Sequence, residues 1–331
     1  MFVNWAHYII PKCSFVLSYI SNPLFIYLIN SKSALVLGPY RYLLCFFAIF
    51  NMIASLADLL VPVSVHNHHY AFVTFLVEGP FSERSDFGEQ TIAYRCAFIS
   101  GTYGILNVHF VFRYMILKRN DLITHYFMPY GLILSVVYVI LHWFIWAMID
   151  MTCLHSSSEM RDYIRDSFNE SLHEDIENVN FVCGLFSEST PDITRRSWIG
   201  IVSLTLMASY SMILYLVLGY KIITGINNGL GTMSQKTAQM QKQLFKALTI
   251  QTVIPICVSF MPCTLSFYGA ALRFDFLNWV YWGSAVAISM FPFLDPMAII
   301  FFIPALRTRL FKFDTATVTD YIDNQRAEGT V

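Results

Sequence analysis

The sequence predicts an all-α membrane protein: a bundle of seven transmembrane helices, amino terminus outside and carboxyl terminus in the cytoplasm. Two observations carry this expectation. Seven long apolar stretches run through the 331 residues, which are 56% hydrophobic and only 13% charged. Soluble domains carry roughly 25% charged residues, and no water-soluble core hides this much apolar surface. The loops between the stretches also alternate in charge. Residues 221–246 hold Lys221, Lys236, Lys242 and Lys246 and no acid, whereas 150–196 hold ten acids against four arginines. Long apolar runs read as spans, and basic loops mark the cytoplasmic side.

The spans fall at 8–30, 39–65, 91–117, 127–149, 197–222, 244–272 and 276–303. Each is near or above the ~20 residues that cross a hydrocarbon core. Backbone polar groups find no water in lipid, so the spans are helices. Span one acts as the membrane signal: Met1–His7 lacks the basic region of a cleavable leader, and Pro11 and Pro23 interrupt the apolar run. The first, third and fifth loops, their flanks and the segment after span seven carry twelve Lys and Arg, against seven in the other loops. The sequon Asn169-Glu170-Ser171 falls in the fourth loop, on the predicted outer side, and makes Asn169 a glycosylation candidate.

Two of the outer loops carry their own patterns. In the fourth, Tyr163, Ile164, Phe168, Leu172, Ile176 and Val179 recur every three or four residues, which predicts an amphipathic helix over 158–178. Ser156 and Glu159 have capping-box spacing at its start. In the second loop, the aromatic and β-branched run Tyr70–Val77 reads either as a strand paired with 180–186 or as an extension of span two. The chain is one domain over 1–313, closed by a short interfacial helix near 304–313 where apolar and basic positions alternate. The polar tail, 314–331, is expected to be disordered in the cytoplasm.

Candidate chemistry lies in the few polar groups at membrane depth. Asp58 in span two and Asp295 in span seven must face the bundle interior, since lipid-facing charge is costly. A network between spans two and seven accounts for both, either as a switch or as a static interhelical hydrogen bond. His109 and Arg113 share one face of span three near its cytoplasmic end. Arg113 there either snorkels to the interface or acts as a switch. Pro255, Pro262, Pro292 and Pro296 place kinks in spans six and seven. The seven cysteines lack zinc-type spacing. Cys96 is positioned to bond Cys183 or Cys153 in an oxidising compartment, or to pack as a free thiol. The cluster of His66, His68 and His69 lacks the partners of a metal site, and no catalytic constellation or cofactor motif is present. Neither a basic run nor an RNA-type motif points to nucleic acid, and the net charge of −1 is silent on it.

Four motifs in order resemble a known family: Gly38-Pro-Tyr-Arg-Tyr-Leu-Leu44, His109-Phe-Val-Phe-Arg-Tyr114, Gln241-Lys-Gln-Leu-Phe-Lys-Ala-Leu248 and Phe291-Pro-Phe-Leu-Asp-Pro296. They resemble the nematode seven-transmembrane chemoreceptors of the Str superfamily, most closely serpentine receptor class j, over nearly the whole chain. The resemblance implies a G-protein-coupled receptor for a small odorant-like or soluble cue, multi-pass in the plasma membrane of sensory cilia, and not an enzyme. Arg113 and Tyr114 then stand where rhodopsin-like receptors keep Asp-Arg-Tyr, with Phe112 in place of the acid. Asp295-Pro296 stands where those receptors keep Asn-Pro-x-x-Tyr, with Ile299 at the tyrosine position. This makes Asp58, His109, Arg113, Tyr114, Asp295 and Pro296 the expected switch, and Lys118, Lys242 and Lys246, with Arg113, the expected G-protein face. Aromatic residues in the outer half, Tyr103, Trp143, Trp146, Tyr268, Trp279 and Tyr281, are expected to bound the ligand. The competing reading is a multi-span transporter or ion channel, which favours repeated halves and midplane charges; no repeat is visible, and two buried acids are too few to make it preferred.

Overall fold

The computed structural model describes residues 5–30, 38–76, 78–118, 127–228, 235–274, 278–303 and 306–310; for 5–7, 235–238, 240, 278–282, 284 and 285 only the backbone is described. The polar tail and half of 304–313 lie outside these residues, and 306–310 are helical.

The long helices follow the apolar runs. They are α1 (Trp5–Asn30), α2 (Tyr40–Leu60), α3 (Asp86–Leu117), α4 (Leu132–Cys153) and α6 (Pro191–Asn228). Two more follow as α7 (Gln235–Pro255) with α8 (Met261–Ala271), and α9 (Asn278–Phe302). By length and composition alone, five segments among the described residues suffice to cross a membrane: Tyr8–Asn30, Tyr40–Leu60, Phe127–Cys153, Pro191–Asn228 and Gln241–Ala271. The last runs through a single π-helical turn, Ile256–Phe260, between Pro255 and Pro262. Proline removes the donor that an α-helical turn needs, and a wider turn at that point accommodates the loss. Pro296 likewise leaves the carbonyl of Pro292, four residues earlier, without its intrahelical donor. Buried Asn22 of α1 supplies one, donating from Nδ2 to that carbonyl at 3.0 Å.

Helix α3 is the central strut, buried along much of its length. Gly101 lets it approach α2 closely: a Cβ there would sit 2.5 Å from the Phe50 ring. Its neighbours are stitched to it by buried polar groups. Asn107 Nδ2 donates to Tyr138 Oη on α4 at 3.0 Å and Ser211 Oγ on α6 at 3.1 Å, and Tyr215 Oη donates to the Tyr103 carbonyl at 3.0 Å.

One end of the bundle carries a cap. Strands β1 (Val63–His68), β2 (Ala71–Leu76) and β3 (Phe181–Leu185) form an antiparallel sheet in that order. Helix α5 (Ser158–Leu172) lies over it. Successive side chains of a strand face opposite ways. Val73, Phe75, Phe181 and Cys183 therefore pack upward against Met160, Ile164 and Phe168 of α5. Phe72, Thr74 and Val182 point down into the bundle. With both faces covered, β2 is buried throughout, which explains its unbroken apolar run.

The structure bears out the strand reading of 70–77, with Ala71–Phe75 paired to Leu185–Phe181. It also corrects three boundaries. Span two ends at Leu60 rather than 65, because Pro62 stops the helix and Val63–His68 becomes β1. The helix expected over 158–178 ends at Leu172, where His173 is left-handed (φ 56°), and Ile176–Asn178 form a separate 3-10 turn. The capping box at Ser156 and Glu159 does not form. Ser157 is the cap, accepting from the Met160 amide, while Glu159 accepts from the Thr190 amide and hydroxyl.

Asn180 ties the cap to the start of α3. Its Nδ2 donates to the Phe81 and Glu83 carbonyls at 2.7 and 2.8 Å, and its Oδ1 accepts from the Ser85 amide at 2.9 Å. Gly88 makes room for this amide, since a Cβ there would meet Nδ2. Arg161 of α5 adds a second tie. It donates to the Ile176 and Val179 carbonyls and to Glu89 of α3, with its guanidinium 4.5 Å from the centre of the Phe181 ring.

Candidate functional site: a capped cavity and a buried arginine at opposite ends of one helix

Below the sheet lies a cavity of about 60 Å³. Its ceiling is the row Val65–Thr74–Val182, which the strand register places side by side. Its walls are Trp146 and Asp150 of α4, Cys96 and Arg95 of α3, and Cys263 and Phe267 of α8. A smaller space of about 30 Å³ continues from it toward Tyr103 and Pro292, sharing Arg95, Ile99 and Ile288.

Arg95 is the polar centre of these spaces. Its Nε and Nη2 donate to Asp58 Oδ1 at 2.8 and 2.5 Å, and the two side chains are only 7% and 9% exposed. Two charges at this depth persist only as a pair, because either one alone carries a desolvation penalty of several kcal/mol. The pair joins two helices across 37 residues of sequence, a separation that no local pattern reveals. Asp150, 3% exposed, sits on the opposite wall with the Trp146 indole as its neighbouring donor.

The expected polar link between spans two and seven forms at Asp295, through Asn51 of α2, but it does not include Asp58. Asp58 turns to Arg95, while Asp295 accepts from Asn51 Nδ2 of α2 at 3.0 Å and Gln251 Nε2 of α7 at 3.0 Å. Asn51 and Gln251 were the partners the sequence pattern did not single out. Both are amides at membrane depth, and that was the available signal.

At the far end of α3, Tyr40 gathers the two residues expected to share a face. Its hydroxyl lies 3.0 Å from His109 Nδ1, and its ring lies 3.7 Å from the Arg113 guanidinium carbon. Arg113 does not snorkel. It is 6% exposed, and its Nε and Nη2 have no hydrogen-bond partner among the described residues. Phe112 also stacks on Tyr40, with ring centres 5.5 Å apart. Tyr114 stands between two lysines, Lys118 and Lys221, whose ammonium groups lie 6.0 and 5.7 Å from its ring. Lys242 and Lys246 are exposed on α7, and Lys246 lies 5.6 Å from the Phe302 ring. Pro296 lies within α9 beside Asp295.

The expected aromatic wall divides. Tyr103 and Trp146 line the two spaces. Trp143 instead stacks on Tyr94, 5.4 Å away, and Tyr268 donates its hydroxyl to Thr205 at 3.1 Å. The side chains of Trp279 and Tyr281 lie outside the described residues. Cys96 and Cys183 are both free thiols in separate packing clusters, the first below the sheet and the second above it. The candidate bridge between them is therefore absent. Cys153 is free as well. Asn169 is exposed on α5.

A helical chain with spans of this length, wrapped around buried polar groups, is a multi-span membrane protein, and its relatives make the class specific. The family model for "Serpentine type 7TM GPCR chemoreceptor Srj" matches residues 1–310. Serpentine receptor class J-38 of Caenorhabditis elegans is 32% identical over 322 residues, 96% of each chain. The G-protein coupled receptor str-33 of the same nematode is 26% identical, covering 87% of this chain and 84% of its own. Serpentine receptor class r-10 of Caenorhabditis briggsae is 23% identical, covering 95% and 92%. This chain belongs to the Srj family of serpentine chemoreceptors.

Proposed function

We propose that this chain is a chemosensory receptor that binds a small chemical cue beneath the sheet and activates a heterotrimeric G protein from the far end of the bundle. In this reading seven helices span the plasma membrane of a sensory cilium. The capped end and Asn169 face outside, and the lysine-bearing end faces the cytoplasm. The loop charges support that orientation, since the positive side of a multi-span protein is the inner one. The observation that carries the reading is the build of α3. It brings Arg95 to the cavity and Arg113, eighteen residues further on, to the opposite end. At 1.5 Å per residue the two are about 27 Å apart on one rigid strut.

A ligand acts by binding one conformation better than another. A cue that reseats the Arg95–Asp58 pair biases α2 against α3, the same two helices that Tyr40, His109 and Arg113 lock together at the far end. Asn51, Gln251 and Asp295 join α2, α7 and α9 between these sites and form the switch layer with Pro296. Release of Arg113 from Tyr40 then opens a basic face that includes Lys118, Lys242 and Lys246.

The test is expression with a G-protein or calcium reporter against a panel of small volatile and soluble chemicals. The expected result is a dose-dependent response that falls at least tenfold in Arg113→Ala at equal surface expression. A ligand-evoked current that persists in Arg113→Ala without any G protein would overturn the receptor reading in favour of a channel.

A further inference from the structure

Of the charged groups around the cavity beneath the sheet, Arg95 and Asp150 line it, and Asp58 reaches Arg95 from the adjoining smaller space. Asp58 and Arg95 cancel each other through two hydrogen bonds. Asp150 is left over. It is 3% exposed and lines the cavity, and among the described residues no Lys, Arg or His lies within salt-bridge distance of it. A carboxylate at this depth without a cation is costly, and counter-ions to ligands are one of the few reasons such a residue is kept.

Its position adds to the deficit of positive charge. Asp150 lies in the last turn of α4, where the unpaired carbonyls form the negative end of the helix dipole and favour a cation over an anion. The remaining wall suits the body of an organic cation: Trp146 stands on the same helix, and Phe72 and Phe267 meet edge to face with ring centres 4.5 Å apart. Aromatic faces attract ammonium groups as well as hydrocarbon.

We propose that this cavity takes a small protonated amine, its ammonium paired with Asp150 and its carbon body held by Trp146, Phe72 and Phe267. This names the ligand class of the receptor reading above and rests on that reading for its signalling consequence. The alternatives fit the same walls poorly. An anion at Arg95 has to expel Asp58 from a pair that already uses two guanidinium nitrogens. A neutral alcohol gains no ion pair from Asp150. A metal ion lacks ligands, since no group of three His, Cys, Asp or Glu is arranged for one among the described residues. The size of the space sets the scale of the amine. About 60 Å³, with a further 30 Å³ beyond Arg95, admits a short carbon chain and not a large ring system.

The test measures binding without relying on signalling. The full-length chain, purified in detergent, is melted with increasing n-butylamine, with 1-pentanol or with butyrate at pH 7. The expected result is saturable stabilisation by the amine that exceeds the effect of either control. Asp150→Asn, which keeps shape and hydrogen bonding but removes the charge, should raise the half-saturating amine concentration at least tenfold. If Asp150→Asn is not monodisperse, Asp150→Glu replaces it. It keeps the charge one carbon deeper in the cavity and should shift the preference from butylamine toward ethylamine. Equal stabilisation by alcohol or butyrate, no stabilisation by any amine, or an unchanged response in the variant used would overturn the proposal. Reporter assays on the same samples separate it from the receptor reading. Asp150-dependent amine binding without G-protein activation leaves the amine site standing and removes the receptor reading. Activation by a non-amine that ignores Asp150 does the reverse.

Discussion

Removing the Asp58 carboxylate leaves Arg95 charged and buried with nothing to pair with. Single removal of one member of such a pair costs about 3–5 kcal/mol, whereas replacing both with apolar side chains is often neutral. Asp58→Asn should therefore lower the thermal midpoint of the detergent-purified chain by many degrees. The double substitution Asp58→Leu with Arg95→Met should recover most of that loss. A double mutant no better than the sum of the singles would show that the two side chains do not depend on each other. The far end of α3 has a different balance. There, among the described residues, no carboxylate pairs with Arg113, whose guanidinium lies against Tyr40 with Nε and Nη2 unpartnered. Cation–π contact is worth about 2 kcal/mol when desolvated, less than a buried ion pair, so this is the arginine more easily released. A residue that is easily released suits a switch, and one held by two hydrogen bonds to a carboxylate suits a hinge point of the binding site.

At the scale of elements, the cap shows what was legible and what was not. The helix over the sheet was readable because its apolar stripe is unbroken from Tyr163 to Leu172, and β2 because its aromatic and β-branched run is too short to span. Strand β1 was absorbed into span two, although Pro62 followed by alternating Val63, Val65 and polar partners is the mark of a strand after a helix stop. The capping residue shifted by one because Ser156 is drawn away to Glu89 of α3, a contact from outside the local sequence. Partners 44 and 244 residues away, Gln251 and Asn51 on Asp295, are invisible to periodicity.

The cap also carries an acid sensitivity. His66 on β1 is enclosed between Ser167 and Phe168 of α5, and burial, helped by neighbouring His68, lowers its pKa from 6.5 to about 4. The folded cap holds His66 neutral while the unfolded chain takes up the proton first. Its contribution is thus complete above pH 6.5, is lost as the pH falls toward 4, and changes no further below that. His66→Gln retains a hydrogen-bonding group for Ser167 without titrating. Thermal midpoints measured from pH 7.5 to 4.5 should fall less steeply in this variant than in the unaltered chain. Parallel curves would remove His66 as the source.

On the scale of the whole molecule, one direction of insertion makes the charges consistent. The acidic loop between α4 and α6 forms most of the cap, and the lysines at Lys118, Lys221, Lys242 and Lys246 cluster at the opposite end. A protein inserted with the lysines inward exposes Asn169 to the lumen, where the glycosylation machinery acts. Asn169 sits on the exposed side of α5, so the acceptor nitrogen is accessible without disturbing the apolar face that packs on the sheet. Expression in a eukaryotic cell should therefore give a band that shifts by one glycan on enzymatic deglycosylation, and Asn169→Gln should abolish the shift without reducing surface expression. A tag placed after Val331 should be accessible to antibody only after permeabilisation. An unglycosylated chain with an externally accessible carboxyl-terminal tag would invert the bundle. The cavity would then open to the cytoplasm and the lysine face to the outside, and the receptor reading and the assigned direction of signalling would fail together.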